Sequence, residues 1–261
     1  MVAVSFSSNH FIARNEISFY PKGFHLETYK VVLKDDRIFM SYKNTIIYTV
    51  VGTAIALLFT TITAYGLSKK NRLPFYGVIN SMLIATMFFS GGMIPAYLTM
   101  VNILKLYDNI WAVVLPSCIS TTNVIIMRTF FTQFPLEIEE SGRIDGLTDV
   151  GVLWYLVLPT STAIMATMGL FYAVGYWNAF FTPLIYLKSQ SKLPLQIILR
   201  QIVMRSQHED FAALFASGDK IIHEDSIKYA TIFVATAPII AVYPWLQKYF
   251  VKGVMIGSLK G

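Results

Sequence analysis

Long uncharged runs alternate with short polar breaks along this chain. The first run covers residues 44–67, 24 positions without a charge, and a membrane-spanning helix needs about 20. A basic break follows, Ser68-Lys69-Lys70-Asn71-Arg72-Leu73-Pro74. The second run, 75–104, holds Gly91-Gly92-Met93-Ile94-Pro95, which predicts a helix that bends or breaks there. The third, 109–127, has Pro116 near its start. Residues 150–187 carry no charge over 38 positions. One straight helix of that length would extend about 57 Å, nearly twice the hydrocarbon core. The run therefore divides: 150–158 at the interface, 159–177 spanning, and 178–187, with Pro183, leaving the membrane or turning back. A last run, 229–247, is kinked by Pro238 and Pro244. The pattern predicts five spans in an all-α, polytopic helical membrane protein, with no internal repeat.

Between the third and fourth runs lies a stretch that hydrocarbon would reject. Residues 134–159 carry Glu137, Glu139, Glu140, Arg143, Asp145 and Asp149. Pro135 suits the first turn of a helix, where its missing N–H costs nothing. The three glutamates follow in that first turn, where the helix dipole favours negative charge. Gly146 is placed to end the helix in a left-handed conformation. Thr148 and Asp149 suit the cap of the next helix, which runs into the membrane through Leu158-Pro159.

Composition agrees with the membrane reading. Hydrophobic residues make up 55%, charged residues 14%, and the mean hydropathy is +0.55. The single cysteine, Cys118, excludes a disulfide within the chain and falls in an apolar run. The net charge of +6 fits loops facing anionic lipid. No basic run with interleaved aromatics points to nucleic acid. Phe6, Phe11, Phe19, Tyr20, Phe24 and Tyr29 suggest an early segment resting on an interface.

The polar stretch resembles the cytoplasmic signature loop of the membrane subunits of ABC importers. That loop reads Glu-Ala-Ala, three residues, Gly, nine residues, then spaced aliphatics ending in Pro. Here it is Glu140-Ser141-Gly142, Gly146, then Leu156, Leu158 and Pro159, with the spacing kept. The extended form Glu139-Glu140-Ser141-Gly142-Arg143-Ile144-Asp145-Gly146 is similar to the carbohydrate-importing, maltose-type permeases. Phe88-Phe89-Ser90-Gly91-Gly92-Met93-Ile94-Pro95 and Asn123-Val124-Ile125-Ile126-Met127-Arg128 resemble the branch handling complex or acidic oligosaccharides. Gly142 departs from the pattern by standing where Ala is usual. Inside a helix it costs about 1 kcal/mol relative to Ala, which weakens the short helix.

The resemblance implies the type I ABC importer permease fold, in a bacterial plasma (inner) membrane, crossed several times. It implies an outer segment at 1–43 and a permease domain at 44–261, with a coupling helix near 136–149. It implies a homologous partner permease, separate ATP-binding subunits working as a pair, an extracytoplasmic solute-binding protein, an oligosaccharide substrate and surrounding lipid. ATP and Mg would sit on the ATPase, since no G-x-x-x-x-G-K-[ST] loop occurs in this chain. Glu139, Glu140, Arg143, Asp145 and Gly146 would form the ATPase-coupling site. Glu140 and Asp145 would set charge and capping contacts, Gly146 would supply the break, and Arg143 would pair across the interface or with Glu139.

With that loop in the cytoplasm, the dense basic break at 68–74 obeys the positive-inside rule. The tally of all 21 Lys and Arg favours the opposite side, but long translocated loops weigh little in that rule. Five spans would then leave residue 1 outside. Members of the family usually carry six spans, so residues 2–6 read as the tail of an earlier span and the sequence as one that begins late.

Substrate contacts are sought where polar groups lie inside spans. Tyr172, Tyr176, Trp177 and Asn178 place aromatics and an amide beside Gly175, a set suited to sugar rings and hydroxyls. An aromatic belt with helix packing is the competing reading. Asn123 and Met127 are further candidates, and a lone Asn within a span is often a helix–helix hydrogen bond. His208-Glu209-Asp210 and His223-Glu224-Asp225 lack the helical histidine pair of a metal site and read as a solvated loop. No reactive cluster supports a membrane-embedded enzyme acting on lipid or polysaccharide. A secondary transporter would want ionisable groups inside spans, and these spans lack them.

Overall fold

The computed structural model describes residues 2–14, 16–24, 26–34, 36–205, 226–238 and 240–241, and among these it contains helices and no strand. The two His-Glu-Asp triplets, and residues 239 and 242–247 of the last apolar run, lie outside the described residues. The chain divides into two units, one of Met1–Ile46 with Ala179–Pro244 and one built on Ile47–Asn178.

Among the described residues a single helix, Asp36–Ser68, is long and apolar enough to cross a membrane unbroken. Its 33 residues extend about 50 Å. It starts eight residues before the uncharged run, with Asp36 in its first turn, where the dipole favours an anion. Its middle is apolar on every side: Val50, Leu58 and Ile62 are exposed, while Ala56, Ala64 and Leu67 are buried. That pattern suits a helix with lipid on one face and protein on the other.

The next three apolar runs are each a bent pair of helices rather than a straight span. Tyr76–Phe88 and Met93–Ile103 meet at 114°, at the Gly91-Gly92 break that the sequence predicts. Gly92 has φ +85 there, a conformation open chiefly to glycine. Ile110–Ser117 and Thr121–Thr132 meet at 52°. The third run was expected to be one helix ending at Met127. It breaks instead at residues 118–120 and continues to Thr132, because Pro116 tightens the chain into a 3-10 turn, Leu115–Ser117. Ser120 then caps the new start, accepting from the Asn123 N–H at 3.5 Å. Asp149–Thr160 and Thr162–Trp177 meet at 87°, which separates an interfacial segment from the spanning one as expected, two residues beyond Pro159. With each bent pair counted as one span, the described residues hold up to four.

The second unit has one main core. Ala64, Tyr65 and Leu67 of the long helix pack against Val124, Met127 and Phe131, against Val152, Leu153 and Val157, and against Met168. The Tyr65 and Phe131 rings meet edge to face at 6.1 Å. In the first unit, Phe6 stacks on Tyr29 at 4.7 Å, and Phe233 meets both rings edge-on. Phe6 and Tyr29 are therefore packed rather than resting on an interface. Phe19, Tyr20 and Phe24 remain exposed as that expectation requires. Asn44 donates to the Ser191 and Leu193 carbonyls at 2.7 and 3.2 Å, and Thr45 accepts from the Leu195 N–H at 2.8 Å. Leu195–Arg205 is thus tied to the start of the long helix.

Candidate functional site

The acidic stretch folds as a short helix, Leu136–Ile144. Pro135 is its cap residue, with φ −59 and ψ 126, so it sits one position before the first turn expected for it. Glu137 and Glu139 occupy that first turn, and Glu140 falls in the second. The helix ends as the sequence predicts. Gly146 has φ +86, its N–H donates to the Arg143 carbonyl at 2.9 Å, and the Leu147 N–H reaches back to Gly142 at 2.9 Å. Those two bonds and the left-handed glycine make a Schellman motif, which satisfies carbonyls that the helix end would otherwise orphan. Thr148 then caps the next helix, its hydroxyl accepting from the Gly151 N–H at 3.3 Å, while Asp149 is the first helical residue.

The short helix has two different faces. Glu139 and Gly142, three positions apart, are buried. A Cβ on Gly142 would lie 2.5 Å from Leu156 Cδ1. Glycine at this position is therefore more than a weak helix former, since it lets the helix lie close against the segment that follows. Ile144, 87% exposed, lies on the opposite face, Leu136 and Ile138 flank the buried stripe and are also exposed, and Glu137, Glu140 and Asp145 are exposed with them.

Ion pairs hold the inward face. Lys69, the residue after the long helix, binds Glu139, whose side chain is 2% exposed against 14% for the lysine. Arg143 pairs with Asp149, and Arg72 reaches the same carboxylate at 3.4 Å. The expected pairing of Arg143 with Glu139 is thus replaced: Glu139 is taken by Lys69, and Arg143 turns to Asp149. Two loops far apart in sequence, 69–73 and 139–149, are joined at two points and lie on the same side of this unit. The partners Lys69 and Arg72 were legible only as charge for the positive-inside rule. Their pairing with acidic residues some 70 positions later has no local sequence signal.

The proposed substrate residues occupy two packed helices, Thr121–Thr132 and Thr162–Trp177. Met127 is fully buried in the main core, and Asn123 is buried one turn before it. Tyr172 and Tyr176 are four residues apart on one face, as helical geometry requires. The Tyr172 hydroxyl accepts from the Ser120 N–H at 3.1 Å and lies 2.6 Å from Thr60 Oγ1. The Tyr176 hydroxyl donates to the Val114 carbonyl at 2.9 Å. Both tyrosines thus serve backbone groups at the 118–120 break, as a broken helix in a membrane requires. The ring of Tyr176 lies over Gly52, where a Cβ would meet it at 2.7 Å. For Met127, Tyr172 and Tyr176 this geometry favours packing over sugar contact. Trp177 is half-buried, and the Asn178 amide donates to the Val174 carbonyl at 2.9 Å, closing the helix end.

No family model matches the chain. It is 44% identical to Protein LplC of Bacillus subtilis strain 168, over 100% of this chain and 88% of that protein. It is 38% identical to the polygalacturonan/rhamnogalacturonan transport system permease protein YtcP of the same organism, over 100% of this chain and 91% of that protein. A crystal structure of a bacterial ABC transporter involved in the import of the acidic polysaccharide alginate matches with a TM-score of 0.89 and 32% identity, covering 95% of this chain and 88% of the other. With this fold, this signature loop and these relatives, the protein is integral to a bacterial inner membrane, a transport component and not an enzyme, and it works with a partner permease, an ATPase and a solute-binding protein. The chain belongs to the permease subunits of carbohydrate ABC importers.

Proposed function

We propose that this chain forms half of the translocation pathway of an importer for acidic oligosaccharides of the kind released from polysaccharides. It crosses the inner membrane several times beside a homologous permease. A pair of ATPase subunits binds ATP and Mg and receives the 136–149 loop in a groove. The observation that carries the coupling reading is the two-faced short helix. Its inward face is clamped by Glu139 and Gly142, while Leu136, Ile138 and Ile144 stand exposed on a polar loop outside the spans. Exposed aliphatics set among carboxylates fit a protein groove better than lipid. Glu140, Asp145 and Gly146 belong to this outward surface and its end. Closure of the ATPase pair on nucleotide would then move the loop as a rigid body.

The substrate class is supported by a relative named for polygalacturonan/rhamnogalacturonan transport and by the likeness to a transporter involved in import of the acidic polysaccharide alginate. Vesicles carrying the complete importer, loaded with ATP, test it. ATP-dependent uptake of a trigalacturonate in preference to maltotriose is the expected result. Equal or greater uptake of maltotriose would reject the acidic class. Uptake driven by an ion gradient without ATP would reject the ABC mechanism.

A further inference from the structure

We infer that Lys69 is a positioning residue of the transport cycle, joining the end of the long helix to the coupling loop so that the two move together. The inference rests on the coupling reading above. Lys69 directly follows Asp36–Ser68. Its carbonyl anchors the turn that comes next, accepting from the Arg72 and Leu73 N–H groups at 2.9 and 3.1 Å. Its ammonium lies 5.2 Å from the centre of the Tyr65 ring, one helical turn back, and binds the buried Glu139 carboxylate. Tyr65 in turn meets Phe131 in the main core. A continuous line of contacts thus runs from the short acidic helix through Lys69 into the long helix and the core.

The neighbouring cations do not duplicate this link. Lys70 lies over the Tyr76 ring at 6.0 Å. Arg72 and Asp149 make an exposed pair, and exposed pairs contribute little. The Lys69–Glu139 pair is nearly sealed from water. Simple cohesion does not require charge at such a site, because well-packed apolar residues of similar size often serve as well or better. What a buried ion pair adds over an apolar contact is a fixed orientation between the two elements. That makes Glu139 an inward strut rather than a contact for the ATPase.

The test needs no knowledge of the sugar. Gly66, on the last turns of the long helix, has open space where its Cβ would be, so Gly66→Cys supplies a reporter. The whole importer is purified through this chain, and maleimide labelling of that cysteine is measured with and without ATP and vanadate. In the otherwise unchanged complex, the labelling rate shifts about fivefold or more with nucleotide, the lower range of ordinary coupling. In the Lys69→Met, Glu139→Met double variant the complex assembles, hydrolyses ATP and unfolds at an unchanged temperature, and the labelling no longer responds. Lys69→Arg alone, which keeps a cation opposite Glu139, retains the response. An unchanged nucleotide response in the double variant overturns the inference, and so does ATP hydrolysis without any labelling response in the unchanged complex. A complex that carries no ATPase at all overturns the coupling reading itself.

Discussion

Gly146 and Gly142 show how one residue type serves two ends within five positions. Gly146 needs its backbone freedom, since nothing lies within 4 Å of a Cβ there and φ is +86. A left-handed conformation costs an L residue about 1–2 kcal/mol. Gly146→Ala is therefore expected to lower both thermal stability and uptake. Gly146→Asn, which tolerates that conformation, should retain more of each although Ala is the better helix former. Gly142 is closely packed and leaves little room for a side chain. Gly142→Ala requires only the end of Leu156 to shift and gains about 1 kcal/mol of helix propensity, so its net effect on the melting temperature should be small. Gly142→Val should loosen the loop, read as faster proteolysis between 136 and 149. The left-handed glycine was legible in the sequence because its role is local. The packing glycine read only as a weakness, because Leu156 meets it through the fold. The partner of Glu139 was illegible for the same reason: no local rule places Lys69 beside it. Removing one partner of such a buried pair costs about 3–5 kcal/mol, since the other charge stays buried, so Lys69→Met alone should destabilise more than the double change.

Among the elements, the breaks carry as much meaning as the helices. The glycine pair at 91–92 and the Pro159 corner were readable because glycine and proline act on their own backbone. The break at 118–120 was not, although Pro116 marks it, since a proline near a helix start can also be accommodated without a bend. What holds that break together comes from another helix: Tyr172 and Tyr176 reach the Ser120 N–H and the Val114 carbonyl. Those tyrosines invited a sugar-binding reading because ring and hydroxyl suit both tasks. Tyr176→Phe separates them. A lost hydrogen bond of this kind contributes about 1 kcal/mol, so the melting temperature of the detergent-solubilised complex should fall while the KM for uptake stays within twofold. A large rise in KM with no loss of stability would return Tyr176 to the substrate pathway. On the short acidic helix, Ile144→Glu should leave this chain inserted and folded, because Ile144 is 87% exposed, yet release the ATPase on purification.

At the scale of the whole molecule, the class was plain from the uncharged runs and the fold from one loop, while the bends within the runs were only partly so. For the first four runs the described residues offer one continuous spanning helix and three bent pairs, because a run of apolar residues records solubility in lipid and not straightness. Bent segments need neighbours to satisfy their backbone, and partner subunits lie outside anything a single sequence encodes. What the second unit contributes is a helical core with a polar projection held to it by buried charge. The measurement that bears most directly on that account is site-specific photo-crosslinking from position 144 in intact membranes. A crosslinked product containing the ATPase subunit, strengthened by ATP and lost when the ATPase is omitted, is the predicted result. A product containing the extracytoplasmic binding protein, or labelling of position 144 by a reagent confined to the outer side, would contradict it.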